Sequence, residues 1–217
     1  MQGGDGKTAS PVGSRRGETH LDTRLQDVMK IGVLALQGDF AEHVTLLRCL
    51  KVLAVEVRLP AHLHGCDGLI IPGGESTTIG KLAVDFGLME PLREFGSRKA
   101  VWGTCAGAIF LSSDSHRQQP LLGLMNISVE RNAFGRQVAS FEADLRVAVF
   151  GVDSHPYHAI FIRAPLIVSV GPQVKALAAL PDGRVVAAQQ GKLLATSFHP
   201  ELTADDRFHR YFLEMAG

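Results

Sequence analysis

Short apolar runs alternate with amphipathic stretches along the first half of the chain. Each apolar run is five or six residues long, which is typical of strands buried on both faces. Between these runs, 39–52 carries apolar residues at helical spacing, 76–97 predicts one or two helices that break near Gly87, and another helical pattern begins at 106. The predicted strands of this half are 31–36, 55–59, 68–72 and 100–104.

Strands dominate the second half. Pro-Asp-Gly-Arg at 181–184 indicates a hairpin, and 203–216 opens with Thr-x-x-Asp, the signature of a capped helix start. We therefore expect an α/β fold in which helices flank a central, mostly parallel sheet that also carries some antiparallel strands. The predicted strands of this half are 122–131, 145–150, 157–165, 174–180, 184–190 and 193–199.

Residues 1–29 differ in composition from everything that follows. They are rich in Gly, Ser, Arg and Asp, and they contain neither an apolar run that could enter a core nor the hydrophobic segment of a secretory signal. We expect a disordered leader at 1–29 and one folded domain at 30–217, a length that suits a single α/β domain.

The overall composition excludes several classes of partner. With 22 basic and 22 acidic residues the formal net charge is zero, whereas nucleic acid or an anionic membrane favours a basic excess. No apolar run approaches the roughly 20 residues that cross a bilayer. Three cysteines without paired spacing argue against a disulfide framework and for a reducing compartment, so the expected location is cytoplasmic.

The candidate nucleophile is Cys105, in Gly-Thr-Cys-Ala-Gly at 103–107. A predicted strand precedes it and a helical pattern follows, which is the form of a nucleophile elbow, a tight turn that pushes one side chain out of the sheet edge. The start of a helix also favours the thiolate. A small buried cysteine in a glycine-rich turn is the alternative, but the strand–turn–helix context favours the nucleophile. Cys49 and Cys66 lack that context and are assigned no role.

A base for this thiol is offered by His199, which follows a strand in Ser-Phe-His-Pro-Glu. Its ring would stand at the carboxyl edge of the sheet, where ligands bind in open α/β folds, and Glu201 would accept a hydrogen bond from its far nitrogen. A surface role, ordinary for one histidine among nine, is the alternative. The histidines at 62–64 and 155–158 have no cysteine or carboxylate cluster beside them, so no metal site is expected.

Acyl chemistry at a thiol also needs N–H donors for the developing oxyanion. Pro-Gly-Gly-Glu-Ser at 72–76 follows a strand, and its glycines could present backbone amides, including that of Gly74, to a substrate. The amide of Ala106, directly after the nucleophile, is the second candidate donor. A simple glycine turn before a helix is the alternative for 72–76.

Together these segments resemble the glutaminase subunits of pyridoxal 5'-phosphate synthase, which are class I, or triad, glutamine amidotransferases. The cysteine and His-Pro-Glu motifs specify only the class. The narrower motifs are Leu-Gln-Gly-Asp-Phe at 36–40, Glu-Arg-Asn-Ala-Phe-Gly-Arg-Gln at 130–137 and Phe-Ile-Arg-Ala-Pro at 161–165. The resemblance covers 31–217 and implies a three-layer, flavodoxin-like fold.

The resemblance also implies a role for each matching residue. Cys105 would attack the side-chain amide carbon of L-glutamine, His199 would act as base and then as acid, and Glu201 would orient His199. Hydrolysis of a glutamyl thioester would give glutamate and ammonia without a metal or cofactor. The residues implied to contact glutamine are Gly74, Glu75, Ser76, Arg131, Ile162 and Arg163.

The implied partner is a (β/α)8-barrel synthase subunit that receives the ammonia within a large hetero-oligomer and activates the glutaminase on docking. Gln37 and Gly38 would lie at that interface and help to organise the oxyanion region. Three alternatives stay open, namely a glutaminase of another pathway, a cysteine-elbow protein of the stress-response or peptidase type, and a binding module without turnover. The motif at 130–137 and Ser-Phe-Glu-Ala-Asp-Leu at 140–145 speak against the first alternative.

Overall fold

The computed structural model describes residues 28–131 and 140–217. The expected leader at 1–29 therefore falls, except for its last two residues, outside the described residues, as does 132–137 of the motif at 130–137. The strands are β1 Lys30–Leu34, β2 Leu53–Val57, β3 Gly68–Ile71, β4 Ala100–Thr104, β5 Ser112–Asp114, β6 Met125–Glu130, β7 Ser140–Leu145, β8 Tyr157–Ile162, β9 Leu166–Val170, β10 Lys175–Ala179, β11 Val185–Gln190 and β12 Leu193–Thr196. The helices are α1 Phe40–Cys49, α2 Ser76–Asp85, α3 Met89–Gly96, α4 Ala106–Leu111 and α5 Arg207–Ala216.

The central sheet has the strand order β2-β1-β3-β4-β12-β11-β9-β6-β5, and β10 pairs with β11 at its side. The first five strands of this order run parallel, whereas β11 is antiparallel to β12, β9 and β10. β7 and β8 form a separate antiparallel hairpin. The predicted α/β class, with a mostly parallel central sheet and antiparallel additions, is confirmed.

Successive side chains of a strand point to opposite faces of the sheet. Helices cover both faces of the parallel strands and bury both sets of side chains. Val33 of β1 and Trp102 of β4 pack with α1 and α5 in one core, and Leu34 and Val101 pack with α2, α3 and α4 in the other. Burial on both faces explains why the runs of β1, β3 and β4 are continuously apolar, whereas the edge strand β2 carries Glu56 and is partly exposed. Within 28–131 and 140–217, no helix is long and apolar enough to cross a membrane.

Three predictions for the second half are wrong or incomplete. The strand expected at 145–150 is instead the end of β7 followed by a 3-10 turn at Ala148–Phe150, which packs Phe150 against the ring of Phe208. β5 and β9 were not predicted, and 157–165 covers only β8. α5 begins at Arg207 with Asp206 as an N-cap that makes no side-chain capping hydrogen bond, and the expected capping residue Thr203 lies in the preceding turn, where its hydroxyl oxygen accepts from Asp205 N.

Candidate active site

A cavity of about 370 Å³ lies at the carboxyl edge of the parallel strands. β4 and β12 are parallel neighbours, with Thr104 opposite Thr196, so the residues that follow them meet at this edge. Of the site residues predicted from the sequence, only Gly38 and Glu201 do not line the cavity. Those that line it are Gln37, Gly74, Glu75, Ser76, Cys105, Ala106, Arg131, Ile162, Arg163 and His199.

Cys105 occupies a strained turn between β4 and α4. Its φ of 47° and ψ of −109° are rare for a residue with a side chain, and its amide donates to the carbonyl oxygen of Thr196 at 2.8 Å. A Cβ on Gly107 would overlap the carbonyl oxygen of Ile71, and one on Gly103 would overlap the backbone of 107–108. The flanking glycines therefore let α4 approach the sheet closely enough to close the elbow.

His199 and Glu201 form a short buried pair beside this turn. His199 Nδ1 lies 2.7 Å from Glu201 Oε1, and the two residues are 5% and 8% exposed. Burial opposes the charged ring, but hydrogen bonds with Cys105 and Glu201 outweigh it and raise the pKa of His199 to about 10. Burial raises the pKa of the Glu201 carboxyl above its usual range. A ring with a pKa near 10 carries a proton at neutral pH, and its Nδ1 lies against the Glu201 carboxyl.

Asp39 is a further group at the site that the sequence interpretation missed. Its Oδ2 lies 3.6 Å from His199 Nδ1, and it lines the cavity. The sequence feature that could have identified Asp39 is its position directly after the predicted site residues Gln37 and Gly38. Asp39, His199 and Glu201 also lie close enough together to hold a metal ion, but the ring nitrogen that faces both carboxylates is already bonded to Glu201.

The loop at 72–76 is held against the segment that follows β1. Glu75 N donates to Gln37 Oε1 at 2.7 Å, and Asp39 N donates to the carbonyl oxygen of Gly73 at 3.2 Å. Gly38 has a φ of 96°, and a Cβ there would overlap the Gly73 carbonyl oxygen. The side chain of Gln37 thus accepts the hydrogen bond of the Glu75 amide, one of the backbone donors in the loop that is expected to bind the oxyanion.

Glu75 of this loop and Arg131 form an ion pair in the cavity wall. Arg131 Nη1 lies 2.6 Å from Glu75 Oε1, and the other oxygen of Glu75 accepts from Thr78 N at 2.9 Å and from the hydroxyl of Thr77. Burial works against ionisation, but these hydrogen bonds and Arg131 lower the pKa of Glu75 to about 2. Both side chains stay partly exposed, so the pair can be reached by a ligand.

The remaining predicted contacts complete the cavity wall. Ser76 is buried at the start of α2, with its hydroxyl 3.3 Å from Gln119 Oε1. Ile162 ends β8, and its carbonyl oxygen lies 3.9 Å from Cys105 Sγ. Arg163 follows with a φ of 44°, a strained conformation that marks a constrained position in a cavity wall.

Comparison with known proteins gives a consistent result. The profile of the SNO glutamine amidotransferase family matches residues 33–217. A pyridoxal 5'-phosphate synthase subunit PdxT from Herpetosiphon aurantiacus is 57% identical over 190 residues, covering 85% of this chain and 99% of the relative, and one from Moorella thermoacetica is 56% identical over 191 residues, covering 87% and 100%. A crystal structure of a glutamine amidotransferase matches with a TM-score of 0.81 and 52% identity, covering 86% of this chain and 98% of the other.

Proposed function

The chain belongs to the SNO glutamine amidotransferase family, and we propose that Cys105, His199 and Glu201 are the catalytic triad with which it hydrolyses glutamine. The protein is a glutaminase of pyridoxal 5'-phosphate, or vitamin B6, biosynthesis. The observation that supports the triad is that the strained elbow of Cys105 lines the same cavity as His199, whose ring is paired with the buried Glu201 at 2.7 Å. The glutaminase domain is 30–217.

The reaction proceeds through an acyl-enzyme intermediate on the thiol. Cys105 gives its proton to His199, and its Sγ adds to the side-chain amide carbon of glutamine, whose carbonyl oxygen becomes an oxyanion. The amide nitrogen takes that proton from His199 and leaves as ammonia. Water then adds to the thioester and gives one proton to His199, which returns it to the sulfur as the thioester bond breaks. The second proton of water leaves the new carboxyl group and is taken up by ammonia, so the net change is glutamine plus water to glutamate plus ammonium.

The oxyanion is stabilised by backbone amides in the segments of Gly74 and Ala106. The Ala106 amide opens α4 directly after the nucleophile. On the other side, Gln37 Oε1 accepts from Glu75 N at 2.7 Å in the isolated chain. We propose that a change in Gln37 on docking with the synthase subunit releases this segment for the oxyanion.

Glutamine is held at its α-carbon end by charges of both signs. Glu75 and Arg131 already face each other at 2.6 Å, and a bound zwitterion offers the opposite partner to each. The planar guanidinium groups of Arg131 and Arg163 suit the α-carboxylate, because each fork can donate two hydrogen bonds. Ser76 and Ile162 complete the pocket between these charges and the thiol.

The partner is a synthase subunit, and its fold and the assembly that it forms with this chain are part of the proposal. We propose a (β/α)8 barrel in a large hetero-oligomer that takes up the ammonia, with Gln37 and Gly38 at the interface. We also propose that the enzyme works in the cytoplasm, since a catalytic thiol must stay reduced.

The test is glutamate release from glutamine, measured with and without the synthase subunit. Release should be strongly stimulated by the subunit, abolished in Cys105→Ala, and retained in Cys49→Ala and Cys66→Ala, which remove thiols outside the cavity. Hydrolysis that survives in Cys105→Ala overturns the nucleophile assignment. Activity that the synthase subunit leaves unchanged overturns the docking proposal alone.

A further inference from the structure

A buried row of polar side chains continues from Glu201 into the core between the sheet and the helices α1 and α5. His43 of α1 and His209 of α5 are both fully buried. His43 Nε2 lies 3.3 Å from Glu201 Oε2, and His43 Nδ1 lies 3.0 Å from His209 Nε2. The row therefore reaches the carboxylate oxygen that does not contact His199.

That oxygen has no hydrogen-bond partner among the described residues. Glu201 Oε2 is buried, and the His43 ring nitrogen 3.3 Å away is close enough to donate but is not aligned in a formed hydrogen bond. Catalytic hydrogen bonds are often long or poorly aligned before substrate is bound. A buried carboxylate oxygen without a donor is costly, which makes this contact important for the ionised form of Glu201.

The atom without a partner at the far end of the row indicates which nitrogen of each histidine ring carries the proton. His209 Nδ1 has no hydrogen-bond partner among the described residues. If His43 carries its proton on Nε2, its Nδ1 accepts from His209 Nε2–H, and the atom left over on His209 is an acceptor. In the reverse direction His43 Nε2 accepts from the Thr104 hydroxyl and faces the Glu201 carboxylate without a proton. That direction also leaves a buried N–H on His209 without an acceptor, which is rarer in proteins. The first arrangement is therefore favoured.

Both rings are neutral in this arrangement. Burial, with a smaller contribution from His209, holds the pKa of His43 well below its usual range, and burial lowers the pKa of His209 to about 3. Burial and, to a smaller extent, the like charge of Asp39 raise the pKa of Glu201 and favour its neutral form, whereas the hydrogen bond with His199 acts in the other direction. The titratable groups that face Glu201 and the two rings are His199, Cys105, Asp39, Asp206 and Tyr157.

We propose that His43, backed by His209, is a positioning residue that donates from Nε2 to Glu201 and thereby keeps this carboxylate ionised and aligned with His199. The inference rests on the proposed function of Cys105, His199 and Glu201. It adds two residues from the helices α1 and α5, neither of which lines the cavity. Thr104 Oγ1, 3.4 Å from the same His43 nitrogen, is a second acceptor that keeps the ring in place.

The direct test uses the unaltered full-length chain with 15N-labelled histidine. The ring nitrogens of His43 should report a neutral imidazole with the proton on Nε2 and none on Nδ1 at neutral pH. A proton on Nδ1, or a charged ring, overturns the proposal. This measurement needs no variant and no turnover, so it decides the arrangement even if the protein proves to have no glutaminase activity.

The kinetic test compares variants of His43 in complex with the synthase subunit. His43→Phe fills the space without a donor and should lower kcat between about tenfold and 100-fold, while KM for glutamine stays within about twofold. The acid limb of the kcat profile should move to higher pH, because Glu201 takes up a proton more readily. His43→Gln, whose amide nitrogen can reach the position of Nε2, should restore most of kcat and return the acid limb.

A matched control separates positioning from packing. Val44→Ala, the buried neighbour on α1, should lower the melting temperature but leave kcat and the acid limb unchanged. Should His43→Phe not fold, His43→Asn takes its place, because its shorter amide cannot reach Glu201. The kcat of His43→Asn should then be lower than that of His43→Gln. An unshifted acid limb in a folded variant, or equal losses in His43→Gln and the variant without a donor, contradicts the proposal. Absence of glutamine hydrolysis in the wild-type complex contradicts the proposed function instead.

Discussion

The two sides of the cavity differ in what their polar groups are bonded to. On the chemical side, Cys105, His199 and Glu201 are at most 8% exposed and bond to one another in the order in which they would act. On the recognition side, Glu75 and Arg131 are partly exposed and bond to each other, and the Glu75 amide is bonded to Gln37.

This contrast shows which part of the site has to change when substrate binds. On the chemical side the hydrogen bonds of the isolated chain are those that the proposed triad would use in hydrolysis. The recognition side holds internal bonds where glutamine and its oxyanion would make theirs. Substrate binding and partner docking must therefore exchange bonds on the recognition side, whereas the buried side can stay as it is.

The largest effect is expected when the chemical side loses its carboxylate. Glu201→Gln should lower kcat by roughly 10³- to 10⁴-fold with little change in KM, because an amide can hold His199 in the wrong tautomer. Steady-state kinetics with the synthase subunit measure this. Glu142→Gln is the matched control, since Glu142 contacts His158 in the same way on the exposed hairpin and should have no effect. A loss that falls mainly in KM would mean that Glu201 acts in binding.

A change on the recognition side should alter KM instead. Arg131→Met removes the guanidinium that we propose as a partner of the α-carboxylate, and it should raise KM for glutamine between about tenfold and 100-fold, with a much smaller change in kcat. Arg58→Met, which breaks an exposed pair with Glu56, is the control. Unaltered saturation by glutamine in Arg131→Met contradicts a role for this guanidinium in the pocket.

The protonation of His199 gives a sharper measure of the chemical side. Its pKa of about 10 should appear as an NMR midpoint for the ring, and Glu201→Gln should lower that midpoint by about one unit or more. Because the folded pKa is raised, the stability that the protonated ring contributes is fully present below about 6.5 and is lost as pH rises through about 10. The exposed ring of His158 should keep its midpoint in the variant.

A smaller effect should follow when Gln37 no longer occupies the Glu75 amide. Gln37→Leu keeps the size but removes the acceptor, so the ratio of the rates with and without the synthase subunit should fall about three- to tenfold. Gln173→Leu, at a position away from the cavity, is the control. An unchanged ratio would show that docking works through another contact.

The smallest effect is expected from a change at the N-terminus, which belongs to neither side of the cavity. Deletion of residues 1–27 should leave kcat, KM and the stimulation by the synthase subunit within about twofold of the full chain, because the cavity is built from later residues. The same assays and a thermal melt measure this. A loss of docking with intact basal hydrolysis would assign the segment to the interface.

Most elements of the first half could be predicted because their signals are local. The strands of the parallel sheet are continuous apolar runs, and the break near Gly87 separates α2 from α3 as expected. The second half was harder, because β5 and β9 are short and β7 alternates exposed and half-buried residues on a two-stranded hairpin. At 145–150 the packing of Phe150 on the core outweighed an apolar pattern that favours a strand.

The parts of the site whose geometry is set within a few residues could be predicted from the order of amino acids alone. The glycines around Cys105 and the two-residue step from His199 to Glu201 fix a turn and a short hydrogen bond locally, so their chemistry could be read from the order of residue types. Only the tertiary structure decided that β4 lies beside β12, that Gln37 bonds to Glu75, and that His43 and His209 meet behind Glu201. These contacts join distant segments through sheet pairing and helix packing, and local propensity carries no information about which distant segments will meet.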